Sequence, residues 1–195
     1  RSLHAVQYYT RLTQRLISAL TVSTSRGVLY EVDMRLRPSG KKGPLAVQMS
    51  TFVDYQMREA ETWEHMALTR ARPVCGDISL IEQARETIHA VLARPRDHAA
   101  TARSIGEMRE LIAQEKGDSD FNDLKTLRGG LIDIEFIAQY LVLAHASRHP
   151  GILVTPTAEA LAAAGGNGLI SSGDAELLRG AHRFYTDILQ MQRAI

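Results

Sequence analysis

The sequence has a single cysteine, Cys75, no apolar run long enough to span a membrane, and almost no charge imbalance. A lone thiol excludes an internal disulfide and fits a reducing, cytoplasmic setting. Without a spanning run or a secretory h-region, the chain does not read as a membrane or exported protein. A formal net charge of +1 gives no overall footprint for nucleic acid, so any basic chemistry must be local. Internal repeats and low-complexity tracts are also missing, which excludes solenoid and linker architectures. Cys75 itself reads as a small packing residue.

What is present is enough for a globular fold. With 195 residues, 45% of them hydrophobic, the chain can bury a core in one large or two small domains. It opens at Arg1 without a methionine and soon enters an apolar stripe at three-and-four spacing, through Val6, Tyr9, Leu12, Leu16 and Leu20. It closes inside another, through Leu177, Leu178, Ala181, Phe184, Tyr185 and Ile188. Both ends read as cut from a longer polypeptide.

Between them the pattern is α+β and mostly helical. From Val28 to Arg37 apolar residues alternate with Glu31, Asp33, Arg35 and Arg37, which predicts a strand with one charged face. "PSGKKGP" predicts a turn and "LAVQM" a second short strand. A long helix is expected from Thr51, through Trp63 as a core anchor, to about Arg72, where Pro73 stops it. Asp77 or Ser79 opens the next helix, and "ARPRD" around Pro95 marks a boundary. Helices follow at about 99–114, 131–147 and 157–164, the last stopped by Gly165 and Gly166. A terminal helix follows Ser171 or Ser172, and "EKGDSDFND" is a loop. This divides the chain into residues 1–95 and an all-α bundle over residues 96–195.

Three constellations could carry chemistry. The first is Asp33, with Arg35 and Arg37 on its strand face and Ser39, Gly40, Lys41 and Lys42 in the turn beyond. Backbone N–H groups of a Gly-rich turn can approach phosphate oxygens, and lysines add charge without demanding geometry; a plain solvated face is the alternative. The second is the helix "YQMREAETWEHMALTRARPV", with Glu59, Glu64, His65, Arg70 and Arg72 facing partners or water. Glu61 and His65 stand four apart, but two ligands without a third do not make a zinc site. The third is "LKTLRGGLIDIEF". There Asp133 and Glu135 sit in a helix apolar nearly all round and must meet arginines, lysines, a metal or their own helix start. Lys125, Arg128, Gly129 and Gly130 lie just before it, and with Arg70 and Arg72 they form a possible secondary site.

Taken together, "VDMRLRPSGKKGPL", "YQMREAETWEHMALTRARPVCGD" and "LRGGLIDIEFIAQYLV" resemble the bifunctional glutamine synthetase adenylyltransferase and adenylyl-removing enzymes of bacteria. The likeness runs from Tyr30 to about Leu143 and is greater to the adenylylating module than to the phosphorolytic one. Glu61 departs from the pattern, where Trp is expected.

The resemblance implies the closing part of a DNA polymerase β-like nucleotidyltransferase domain, then helices. In that superfamily three carboxylates on adjacent strands hold paired Mg²⁺ ions, and Asp33 matches the third; the upstream Gly-Ser and Asp-x-Asp motif is not in this sequence. Arg35, Arg37, Lys41 and Lys42 are the implied triphosphate or fold contacts, which the resemblance does not assign one by one, and Ser39 and Gly40 of the turn join them as expected phosphate-binding residues. The implied reaction moves AMP from ATP to a tyrosine of glutamine synthetase, with glutamine and the PII signal protein as regulators and no role for nucleic acid or membrane. This stretch alone is expected to be inactive. Phosphorolytic removal of AMP and a non-catalytic helical docking module are the alternatives.

Overall fold

The computed structural model describes residues 4–25, 27–28 and 31–194. The chain forms two compact units, Arg1–Ala60 and Glu61–Ile195.

The first unit holds helix α1 (Ala5–Thr21), a two-stranded antiparallel pair β1 (Ser23–Thr24) and β2 (Gly27–Val28), and helix α2 (Met49–Arg58). Of the strand expected over Val28 to Arg37, Val28 pairs in β2, but among the described residues beyond it no strand forms: residues 31–34 have no ladder, and 35–39 turn. Leu29 and Tyr30 lie outside the described residues. A strand needs a neighbour to satisfy its N–H and C=O groups, and here the backbone bonds locally instead. The Asp33 carboxylate takes the Arg35 N–H at 2.9 Å, an Asx-turn that competes with any ladder. The alternation survives only as burial: Val32 and Met34 are partly covered, Glu31, Asp33 and Arg35 exposed. At Leu36, 58% exposed, it ends.

"LAVQM" is likewise no strand. The chain runs irregularly to Gln48, and α2 begins at Met49 rather than Thr51. Nor does one helix continue to Arg72. The chain breaks around Glu59–Glu61 and restarts as α3 (Thr62–Leu68). Glu61 is the cause: its side chain accepts from the Glu64 N–H, and Glu64 reaches back to the Glu61 N–H at 2.9 Å, a reciprocal cap. The residue at which the sequence departs from the pattern it resembles is therefore a helix start.

The second unit contains α3, α4 (Ile78–Leu92), α5 (His98–Lys116), α6 (Leu131–His145), α7 (Thr157–Gly166) and α8 (Ser172–Ala194). The starts follow the sequence signals. Asp77 accepts from the Ser79 N–H at 2.9 Å, Asp97 from the Ala100 N–H at 2.7 Å, and Ser171 from the Asp174 N–H at 3.0 Å. Helix α6 is central, packing on α3, α5, α7 and α8, as a helix apolar on nearly every side must. Its Ile134, Ala138, Leu141 and Val142 form the core with Ile152, Ala160 and Leu161. Gly165 and Gly166 close the last turn of α7 rather than stop it; a side chain at Gly165 would come within 2.8 Å of Ala175 Cβ on α8.

Two packing expectations fail. Trp63 is 38% exposed and is no core anchor, whereas Glu64 and His65 are buried beside Met66 and Leu68. The cap turns Glu64 inward, which fixes this face of the short helix. Cys75 is exposed, in the irregular segment between α3 and α4.

Candidate functional site

In the first unit the expected site residues fall in the segment from Asp33 to Gly43. Asp33 is gripped by one partner. Arg35 donates from Nε to Oδ1 at 3.0 Å and to Oδ2 at 2.8 Å, and from Nη2 to Oδ2 at 2.6 Å. The Arg35 side chain and then its N–H hold the Asp33 carboxyl down to about 2, from 3.8, with a further push from Lys41. Asp33 is thus an exposed, fully ionised hard-oxygen donor at neutral pH.

Arg37 does something different from Arg35. Nε donates to Gly43 O at 3.0 Å, Nη1 to Met34 O at 2.5 Å and Nη2 to Lys41 O at 3.1 Å. Around it Gly40–Lys42 make one 3₁₀ turn, entered through Ser39 at φ 60°. Lys41 and Lys42 are exposed on this turn, as is Ser39.

In the second unit the two acids of α6 find arginines. Asp133 Oδ1 accepts from Arg109 Nε on α5, and its Oδ2 takes the Gly129 N–H at 2.6 Å. Glu135 Oε1 accepts from Arg70 Nη1 at 2.7 Å. Arg109 continues to Thr126 O at 2.8 Å, and Thr126 is held by the Asp123 carboxylate. Arg128 pairs with Glu110 at 3.1 Å and Asp118 at 2.5 Å, which raise its pKa. Gly130 is demanded by packing, since a Cβ there would stand 2.6 Å from Leu124 O and 2.7 Å from Leu127 O. The Gly129–Gly130 pair thus closes the loop, and the Gly129 N–H holds the protein's own carboxylate. Lys125 and Arg72 are exposed.

Sequence reasoning missed Arg109, because its partner lies 24 residues away. It also missed Arg96, whose Nη1 lies 3.2 Å from Nδ1 of buried His65. Between α5 and α6 lies an open cleft of about 370 Å³, lined by Ala102, Ile105, Phe136, Ile137 and Tyr140 and ending at Arg109 and Asp133. Among the described residues no group of three or more His, Cys, Asp or Glu side chains could hold a metal. No helix among them is long and apolar enough to cross a membrane.

Comparison with known proteins adds to this geometry. Residues 1–87 match the Glutamate-ammonia ligase adenylyltransferase family, and residues 106–192 match the GlnD PII-uridylyltransferase family. Over 193 residues, 99% of this chain, it is 52% identical to the bifunctional glutamine synthetase adenylyltransferase/adenylyl-removing enzyme of Rhodopseudomonas palustris (strain BisB5). Along nearly its whole length the chain is similar to part of these bifunctional enzymes. Identity is 51% to the same enzyme of Bradyrhizobium diazoefficiens and 49% to that of Xanthobacter autotrophicus, again over 99% of the chain. The chain spans about a fifth of the length of these relatives: 20%, 19% and 20%. The family match over residues 1–87 takes in Asp33, Arg35 and the basic turn, and the second match takes in Arg109, Asp133 and Glu135.

Proposed function

We propose that this chain is part of an enzyme that transfers AMP from ATP to a tyrosine of glutamine synthetase, and that it corresponds to the adenylylating module. The observation that carries the reading is Asp33, exposed and held at a pKa of about 2 beside Arg35, within residues that match the adenylyltransferase family. Residues 1–95 close a polymerase β-like domain and residues 96–195 form the helical domain. The two family matches, ending at 87 and starting at 106, support that division even though α3 and α4 pack in the second compact unit.

A divalent cation fits Asp33 as one ligand among several, because a hard cation takes ionised oxygen donors and Asp33 is ionised at any working pH. Mg²⁺ supplies neutralisation of the charge that develops at the α-phosphate. The chain's own residues divide the remaining work. Asp33 offers the oxygen, and Arg35 orients it while staying close enough to meet a phosphate. Lys41, Lys42 and the backbone of Ser39 and Gly40 draw the triphosphate to the turn. Glutamine and a PII signal protein are the proposed regulators, and the match to the PII-uridylyltransferase family over α5–α8 supports the helical part as the place that senses them. The cytoplasm is the proposed location.

The test is Asp33→Asn in a full-length relative. Asn keeps the size of the side chain and removes its charge, so thermal stability should hold while AMP transfer falls by several kcal/mol in transition-state terms, about a thousandfold or more. Retention of transfer within about tenfold removes Asp33 from the site. Removal of AMP, assayed separately, should be unchanged.

A further inference from the structure

We propose that Arg37 is a positioning residue: its guanidinium holds the segment from Met34 to Gly43 closed and so fixes where Asp33, Arg35, Lys41 and Lys42 stand. The role rests on the nucleotide-transfer reading above. A period-two strand would have set Arg35 and Arg37 side by side on one face with one job. The structure separates them, Arg35 onto a carboxylate and Arg37 onto backbone carbonyls of Met34, Lys41 and Gly43. Those carbonyls come from both limbs of the turn, so one rigid fork ties its entry to its exit.

Apart from Arg37, the turn is held by short-range backbone bonds. Gly40–Lys42 contains no buried residue, and Ser39 sits at φ 60°, a conformation non-glycine residues seldom adopt. The backbone bonds Gly40 N–H to Arg37 O at 2.8 Å, Lys42 N–H to Ser39 O at 3.2 Å and Gly43 N–H to Gly40 O at 3.2 Å are each local to one turn, whereas the Arg37 bonds to Met34 O and Gly43 O tie together the two limbs. They meet closely: a Cβ on Gly43 would lie 1.9 Å from Pro38 O. An arginine suits this position because its five N–H groups lie in one plane in fixed directions, whereas a lysine ammonium is a compact point charge that cannot span three separated carbonyls.

The test has two arms. The chain has four lysines, at 41, 42, 116 and 125, so a lysine-specific endoprotease reports the turn against an internal reference at Lys116. A bond before proline resists cleavage, so Arg37→Lys adds no ready site. Cleavage after Lys41 and Lys42, relative to Lys116, should rise about tenfold in Arg37→Gln and in Arg37→Lys, because proteolysis follows the population of the open form. Gly43→Ala should give the same rise with Arg37 in place. If Gly43→Ala accelerates cleavage while either Arg37 variant stays within about twofold of the parent chain, the clasp is overturned.

In a full-length relative, both Arg37 variants should lower kcat/KM for AMP transfer together, by about tenfold or more. Rescue by Arg37→Lys overturns positioning and assigns Arg37 to direct phosphate contact, which a point charge satisfies. Faster cleavage with unchanged transfer in both Arg37 variants also overturns the positioning role. Failure of the nucleotide-transfer reading shows separately, as an Asp33→Asn enzyme that keeps its activity.

Discussion

Asp133 on α6 is shared between Arg109 of α5 and the N–H of Gly129, so one carboxylate joins two helices and the loop between them. The two partners of the ion pair are not equally provided for. Arg109 is 11% exposed and its Nη1 is buried without a hydrogen-bond partner among the described residues, while Asp133 is 24% exposed and sits at a helix start.

Removing Asp133 should therefore hurt more than removing Arg109. Asp133→Leu leaves a buried guanidinium without its counter-charge, held only by Thr126 O among the described residues, and should cost on the order of 3–5 kcal/mol. Arg109→Met keeps the apolar stem and leaves Asp133 its Gly129 N–H and the favourable end of the helix dipole, so its cost should be smaller, about 1–3 kcal/mol. Denaturant melts of both variants and of the double variant should give a coupling of about 1–3 kcal/mol. Additive losses would mean that the pair does no joint work.

Asp33 should titrate near 2, and its partner sets that value. Arg35→Gln removes the largest cause and should return the carboxyl toward 3.8, read from the side-chain ¹³C shift on lowering the pH. The folded value lies below the unfolded one, so whatever stability the pair adds is present above 3.8 and is lost as the pH falls through about 2. For an exposed pair the effect on melting should be slight. Asp77, lowered by its bonds to Ser79, is the matching control through Ser79→Ala.

The imidazole of His145, at the end of α6, packs edge-on to His98 with ring centres 4.8 Å apart. Burial first, then the charges of His98, His149 and Arg148, lower its pKa below 6.5. A folded-state value below the unfolded one means the unfolded chain binds the proton more readily. Stability should be complete above 6.5 and fall as the pH drops through the lowered value. His145→Gln should flatten that part of a Tm-against-pH curve; an unchanged slope would place the sensitivity elsewhere.

This chain by itself should not transfer AMP. Asp33 can supply one ligand, and among the described residues no acidic cluster supplies the others. A two-metal geometry is not fixed by a single carboxylate. Incubation with labelled ATP, Mg²⁺ and glutamine synthetase should leave the synthetase at background, and label above background would refute the point.

The second unit was largely legible in the sequence, and the region from Val28 to Gln48 was not. Helices α4 to α8 carry their own signals: three-and-four apolar spacing, Asp77 and Ser171 at the starts, Pro95 between α4 and α5. Each acts within a few residues of itself. A strand has no such independence. The alternation from Val28 to Arg37 stated which side chains turn outward, and part of that holds, but a ladder requires a neighbour that local pattern does not specify. The break at Glu61 was visible only as two glutamates three apart, since the usual capping signal begins with Ser or Thr. For Asp133 and Glu135 the cost of burying charge required partners, and arginines do supply them. That they are Arg109 and Arg70 is a fact of tertiary packing, over 24 and 65 residues of chain.

The bond from Gly129 N–H to Asp133 has a consequence for how dissolved anions distribute over the molecule. A helix start ordinarily offers free N–H groups to whatever negative solute arrives. At α6 that offer is answered from within: the Leu131 and Ile132 N–H groups bond Leu124 O and Lys125 O, and the Gly129 N–H just before the start is taken by a tethered carboxylate, present at a local concentration no free phosphate or sulfate can match. Raising the salt should leave Asp133 in place. The exposed turn Gly40–Lys42 carries Lys41 and Lys42 with no acidic residue of its own, so added salt should change the charge it meets more than it changes the bond at Gly129.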